Sequence, residues 1–266
     1  LRGRYTDRPS PDLAIAFSPD GKTLAVSGRM LTLLDAATGQ VRWETKPPNG
    51  ITPESLAFSP DGKTLVGTGA GITFWEAATG RELRSLPDAS DGKLAFSPDG
   101  KLLLAANNDV KEFALLLLDA ATGETMRKLT GHTSPITSIA FSADGRTLAS
   151  GRRTNIARPD TVKLWDISTG QMALTLSGNQ NAVNDVAFSG DGRTLLAGAG
   201  IEIRLWDATT GQLIRLIKDN PRQADALAIS PDGLTLASGD RNGSIKLWDA
   251  KTGQSTYLLR GHTTAV

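Results

Sequence analysis

The sequence predicts an all-β chain of six repeats, each made of four short antiparallel strands. Three observations predict it. The phrase Ala16-Phe17-Ser18-Pro19-Asp20-Gly21-Lys22-Thr23-Leu24 returns five times with small changes, its aspartate falling at Asp20, Asp61, Asp99, Asp144, Asp191 and Asp232. A second phrase, Asp35-Ala36-Ala37-Thr38-Gly39-Gln40, follows each first one, its threonine falling at Thr38, Thr79, Thr122, Thr169, Thr210 and Thr252. No apolar stripe of 3.6-residue period runs for the length of a helix. Two independent markers that share one period rule out coincidence.

Each element follows from local chemistry. In Ser18-Pro19-Asp20-Gly21, proline presets the first central turn position and glycine supplies a positive φ after it. Apolar runs on either side make the unit a tight hairpin. Thr38-Gly39 reverses the chain again. The first repeat therefore reads as strands over 13–17, 24–27, 30–34 and 40–45. Gly28, Gly69, Gly71, Gly151, Gly198, Gly200, Gly239 and Gly243 are expected to mark a further tight turn after the second strand. A four-stranded sheet repeated at this spacing is the signature of β-propeller blades. The expectation is one β-propeller domain over 1–266, with repeats at 4–46, 47–86, 87–130, 131–177, 178–218 and 219–262. Leu1-Arg2-Gly3 repeats Leu259-Arg260-Gly261, so the chain reads as a segment of a larger ring, with a closed six-bladed ring as the alternative.

Composition narrows the chemistry. The chain has 29 Lys+Arg against 28 Asp+Glu, a net charge of +1, which argues against an obligate nucleic-acid partner because phosphate binding needs a concentrated positive face. It has no cysteine and 2 histidines, His132 and His262, which excludes disulfides, thiolate metal sites and cysteine nucleophiles. No apolar run approaches the roughly 18 residues of a membrane helix.

Leu164-Trp165-Asp166, Leu205-Trp206-Asp207 and Leu247-Trp248-Asp249 resemble the Trp-Asp signature of WD-repeat proteins, and Gly131-His132 and Gly261-His262 resemble their Gly-His element. The phrasing is similar to that of bacterial members. The resemblance covers the whole chain. It implies a β-propeller of WD-type repeats with six four-stranded antiparallel blades. It also implies a buried network in repeat four of His132, Ser150, Asp160 and Trp165. Repeat six offers Ser238, Asn242 and Trp248 without a preceding histidine. Leu34 and Leu118 replace the tryptophan in repeats one and three, and repeat two carries Trp75-Glu76. Those blades are expected to hold by apolar packing and strand ladders.

No catalytic constellation emerges. The repeated aspartates are turn residues, because a catalytic group would not recur in every repeat. His132 beside Ser150 could be a general base, but the structural network accounts for both. The run from Leu33 to Trp43 resembles the blade-docking motif of quinoprotein-type propellers. Its alternatives are a quinone cofactor site and packing between blades, and packing is the expectation. No cofactor and no metal site are expected.

The Asp-Gly to Thr-Gly spacing is 18 to 20 in four repeats but 23 and 25 in repeats three and four. The insertions fall at 107–112 and 152–160, between second and third strands. Lys111, Glu112 and Phe113 at the first, and Arg152, Arg153, Asn155 and Arg158 at the second, are the candidate partner-binding residues. Arginine pairs bidentately with carboxylate or phosphate and is favoured at interfaces. The sequence thus predicts a non-enzymatic scaffold that binds protein or peptide, an acidic one by its arginines. It is read as a cytoplasmic monomer without membrane contact and as the interaction module of a longer bacterial signalling or regulatory protein. The competing classes are a quinoprotein-like or other propeller enzyme, and a structural spacer with no partner surface.

Overall fold

The computed structural model describes residues 14–47, 50–69, 71–87, 92–109, 112–152, 162–179, 181–218, 223–240 and 242–260. Blade one comprises β1 (Ile15–Phe17), β2 (Thr23–Val26), β3 (Leu31–Asp35) and β4 (Val41–Thr45). Blade two comprises β5 (Ser55–Phe58), β6 (Thr64–Gly69), β7 (Gly71–Glu76) and β8 (Glu82–Leu86). Blade three comprises β9 (Leu94–Phe96), β10 (Leu102–Asn107), β11 (Ala114–Asp119) and β12 (Thr125–Thr130). Blade four comprises β13 (Ile136–Phe141), β14 (Thr147–Arg152), β15 (Val162–Asp166) and β16 (Met172–Leu176). Blade five comprises β17 (Val183–Phe188), β18 (Thr194–Ala199), β19 (Glu202–Asp207) and β20 (Leu213–Ile217). Blade six comprises β21 (Ala226–Ile229), β22 (Thr235–Gly239), β23 (Ser244–Asp249) and β24 (Ser255–Arg260). Each blade is an antiparallel meander with its strands in chain order. The protein is a β-propeller of six four-stranded blades, with no helix of a length to cross a membrane among the described residues.

The two phrases build the two turns of each blade. Ser18 Oγ–H donates to Asp20 Oδ1 at 2.6 Å and accepts the Thr23 N–H at 3.0 Å, while Gly21 takes φ 68°. The same serine–aspartate bond recurs from Ser59, Ser97, Ser142, Ser189 and Ser230. In the second turn, Asp35 Oδ1 accepts the Thr38 N–H at 2.9 Å, and Asp119, Asp166, Asp207 and Asp249 do the same for their own threonines. These side chains replace main-chain partners that a tight reversal cannot offer.

The chain divides into two compact units, residues 1–128 and 129–266. Within each, the apolar core lies between successive blades. Leu31 and Leu33 of blade one pack with Leu56, Leu65 and Trp75 of blade two. Ile72 and Phe74 of blade two pack with Leu94 and Leu103 of blade three. In the second unit, Val162, Leu164 and Leu176 of blade four meet Val183, Val186 and Trp206 of blade five, whose Ile203, Leu205 and Ile217 meet Leu227 and Trp248 of blade six. A blade alone cannot bury its faces; a neighbour must.

One expectation is corrected. Gly69, Gly151, Gly198 and Gly239 lie within β6, β14, β18 and β22, not in turns after them. A Cβ on Gly151 would sit 2.5 Å from Val183 Cγ1 of the next blade, so the glycine there permits close approach of two sheets.

Candidate functional site

In blade four, the first residue pair after β12 and the middle of β14 and β15 converge. Ser150 Oγ lies 2.7 Å from His132 Nε2 and accepts the Trp165 Nε1–H at 2.8 Å. The His132 and Trp165 rings are tilted, with centroids 5.9 Å apart. All three side chains are buried. Burial holds the His132 imidazole well below its usual range, at about 3, with the nearby cations of Lys163 and Arg152 acting in the same sense. The ring is therefore neutral at physiological pH. Asp160 lies outside the described residues.

Other blades solve the same packing problem differently. Trp248 Nε1–H donates to Ser238 Oγ at 3.0 Å, and Asp240 accepts the N–H groups of Asn242 and Ser244. Blade five has Asn179 where blade four has His132. There Arg204 Nη1–H donates to Asn179 Oδ1 at 3.0 Å, and Arg204 pairs with Glu202 at 2.7 Å. Sequence reasoning missed this substitute; the signal available was Gly178-Asn179 at the Gly-His position with an arginine on the third strand.

The outer strands carry a second recurrent contact. Trp43 Nε1–H donates to the Ala77 carbonyl at 2.9 Å, and its ring packs on Gly80 in the turn of blade two. The equivalent Arg84 lies over the Phe74 ring and donates to the Ala120 and Ala121 carbonyls, while Arg215 donates to the Thr252 carbonyl at 3.1 Å. In blades one, two and five the residue four positions after the Thr-Gly glycine thus clasps the next blade's turn. Trp43 is one instance of that clasp.

Surface clefts follow from the same stacking. A cleft of about 700 Å³ between blades one and two is lined by Pro19, Asp20, Arg42, Asp61, Lys63 and Glu76. Smaller clefts recur between blades two and three and between blades four and five. The hydroxyl of the preceding serine and the following main-chain N–H hold the Asp20 and Asp61 carboxyls below the usual range, and Thr79 and Arg81 do so for Glu76. These carboxylates are ionised and committed to their own turns.

The two insertions are placed separately, one in each unit. After β10, Asp109 N–H donates to Asn107 Oδ1 at 2.9 Å and Glu112 N–H donates to the Asp109 carbonyl at 2.9 Å. Glu112 is exposed and pairs with Lys128; Phe113 is half-buried. In the second insertion, Arg152 is the last residue of β14 and only 4% exposed, its Nη1–H donating to Ser134 Oγ at 3.0 Å. It pairs across the sheet with Ile136, which extends the strand beyond where the sequence placed the loop. Lys111, Arg153, Asn155 and Arg158 lie outside the described residues.

Six four-stranded blades closed by repeated side-chain-bonded turns, two of them holding a buried Trp–Ser bond, define a repeat protein of the propeller class. Residues 123–166, 170–207 and 214–249 match the family model described as WD domain, G-beta repeat. The three matched repeats are WD repeats, carried on a β-propeller of six four-stranded blades. No curated protein matches it.

Proposed function

We propose that the chain is a non-enzymatic scaffold that binds a protein or peptide, within a longer bacterial signalling or regulatory protein. WD-repeat propellers are commonly interaction scaffolds. The single observation that carries the reading is the division of labour in the repeat. The aspartates of both phrases are spent on turns, His132 and Ser150 on a buried bond, and Trp43 on a blade clasp. What varies on this constant frame is the length of the second-to-third-strand connection in blades three and four. Insertions at surface loops cost the frame little and are free to serve recognition.

Arg153, Asn155 and Arg158 make an acidic segment the expected partner for the blade-four insertion. Arg152 contributes from beneath, because its guanidinium is buried. The test uses purified protein against an immobilised poly-glutamate peptide. Arg153→Glu with Arg158→Glu should weaken binding at least roughly tenfold and flatten its salt dependence, since fewer ion pairs remain to be screened. Unchanged binding with unchanged salt dependence would defeat the acidic-partner reading.

A further inference from the structure

One position of the third strand carries a cation in all three blades of the second unit: Lys163, Arg204 and Lys246. Each meets a different acceptor. Arg204 bonds Asn179 and Glu202, and Lys246 Nζ stands 4.2 Å over the Trp248 ring. In blade four, Lys163 Nζ–H donates to Met172 Sδ at 3.1 Å and to Thr175 Oγ1 at 3.4 Å. The Thr175 hydroxyl itself donates to Met172 Sδ at 3.3 Å. An ammonium and a hydroxyl thus converge on one thioether.

The register of the outer strand causes the convergence. Leu164 pairs with Leu174 but Trp165 with Met172, a bulge that leaves Ala173 as an extra residue. On a regular strand, residues three apart point to opposite faces. The extra residue brings Met172 and Thr175 to the face that carries Lys163. Blades five and six have the same bulge, but Leu213 and Ser255 stand opposite their tryptophans. A thioether is a weak hydrogen-bond acceptor. Lys163 is only 9% exposed, so little water competes for its ammonium, whereas Met172 is 48% exposed and open to a dissolved oxidant.

We propose that Met172 is an oxidation site whose sulfoxide oxygen is received by Lys163 and Thr175. A peroxide supplies the oxygen. A sulfur lone pair attacks one peroxide oxygen, and the S–O bond forms as the O–O bond breaks. The departing hydroxide takes the proton left on the transferred oxygen and leaves as water. Sulfur is oxidised by two electrons and the peroxide is reduced by them. The sulfoxide oxygen is a far stronger acceptor than the thioether, and both donors are already in place. Oxidation of methionine ordinarily loosens a fold by making an apolar side chain polar. At Met172 the polar product matches its surroundings, so oxidation tightens blade four.

The chain has 3 methionines, so two single-methionine proteins make the test. Met30→Leu with Met126→Leu keeps Met172. Met30→Leu with Met172→Leu keeps Met126, which is 59% exposed on β12. Each is treated with hydrogen peroxide until mass spectrometry shows one added oxygen per chain, and its melting temperature is compared with that of its own untreated sample. The Met172 protein should gain about 2–4 °C on oxidation, and the Met126 protein should gain nothing. Thr175→Val and Lys163→Leu in the Met172 protein should each shrink the gain. Oxidised and reduced samples of one variant are compared, so stability lost by the substitution itself cancels. A Met172 protein that melts no higher after oxidation overturns the proposal. So does an equal gain in the Met126 protein, or a gain that survives both substitutions together.

Discussion

Asp185 Oδ2 accepts the main-chain N–H of Leu227 in the next blade at 2.8 Å, while its Oδ1 accepts the Ser138 hydroxyl of the preceding blade at 2.7 Å. One side chain therefore joins three blades of the second unit. Ser138 Oγ accepts the Val186 N–H at 3.1 Å, and Ser55 Oγ accepts the Leu94 N–H at 3.1 Å, from the same position of their own blades. The innermost strand cannot satisfy these N–H groups within its own sheet, and the neighbouring blade's side chain does so. Asp185→Ala should cost about 2–3 kcal/mol, as for hydrogen bonds to a charged group. Ser138→Ala should cost about 1 kcal/mol, and a urea denaturation cycle on the pair should show coupling rather than additivity.

His132 makes stability depend on pH with a definite sign. Its folded-state value of about 3 lies below the unfolded 6.5, so the unfolded chain binds more protons between those limits. The contribution is complete above about 6.5 and is lost as pH falls toward 3, with roughly 5 kcal/mol as its upper bound. The turn aspartates titrate in the same direction, so the measurement is a difference. His132→Gln should flatten the decline in melting temperature between pH 6.5 and 5 relative to the parent. Parallel curves would show that the imidazole carries no such shift.

Gly151→Ala should destabilise the second unit by about 1–3 kcal/mol, because its Cβ would collide with Val183 Cγ1. Trimming the neighbour should relieve it: Gly151→Ala with Val183→Ala should lose less than the sum of the two single changes. A glycine needed only for backbone freedom would not be rescued in this way.

Trp43→Phe should cost about 1 kcal/mol by removing the hydrogen bond to Ala77, whereas Trp43→Ala should cost about 2–4 kcal/mol by also emptying the seat on Gly80. Thermal melts of the two variants separate these terms. Equal losses would mean that the indole ring does not support blade two.

The two phrases exposed the fold because each encodes a complete local event: a serine, an aspartate and a glycine close one hairpin without help from distant residues. Blade count and strand order followed directly. The set His132, Ser150 and Trp165 was readable from its family phrasing. The clasp of Trp43, Arg84 and Arg215 was not, because it joins residues 34 to 37 positions apart through the packing of two sheets. The strand glycines were misread for the same reason: what crowds Gly151 is a side chain of the next blade. Arg152 was placed in a loop by the longer spacing of repeat four, but its stem continues β14 and its guanidinium finds Ser134. Spacing gives the number of extra residues, not the point at which the strand ends.

The most direct test of the scaffold account replaces residues 153–160 by the short connection that blade five uses at the same place, Gly200-Ile201. Melting temperature and affinity for the acidic peptide are then measured on the same preparation. The account predicts an unchanged melt with loss of binding, since the frame is held by blade cores and turns while recognition resides in the inserted loop. Retained binding, or a collapse of the fold with the loop, would contradict it.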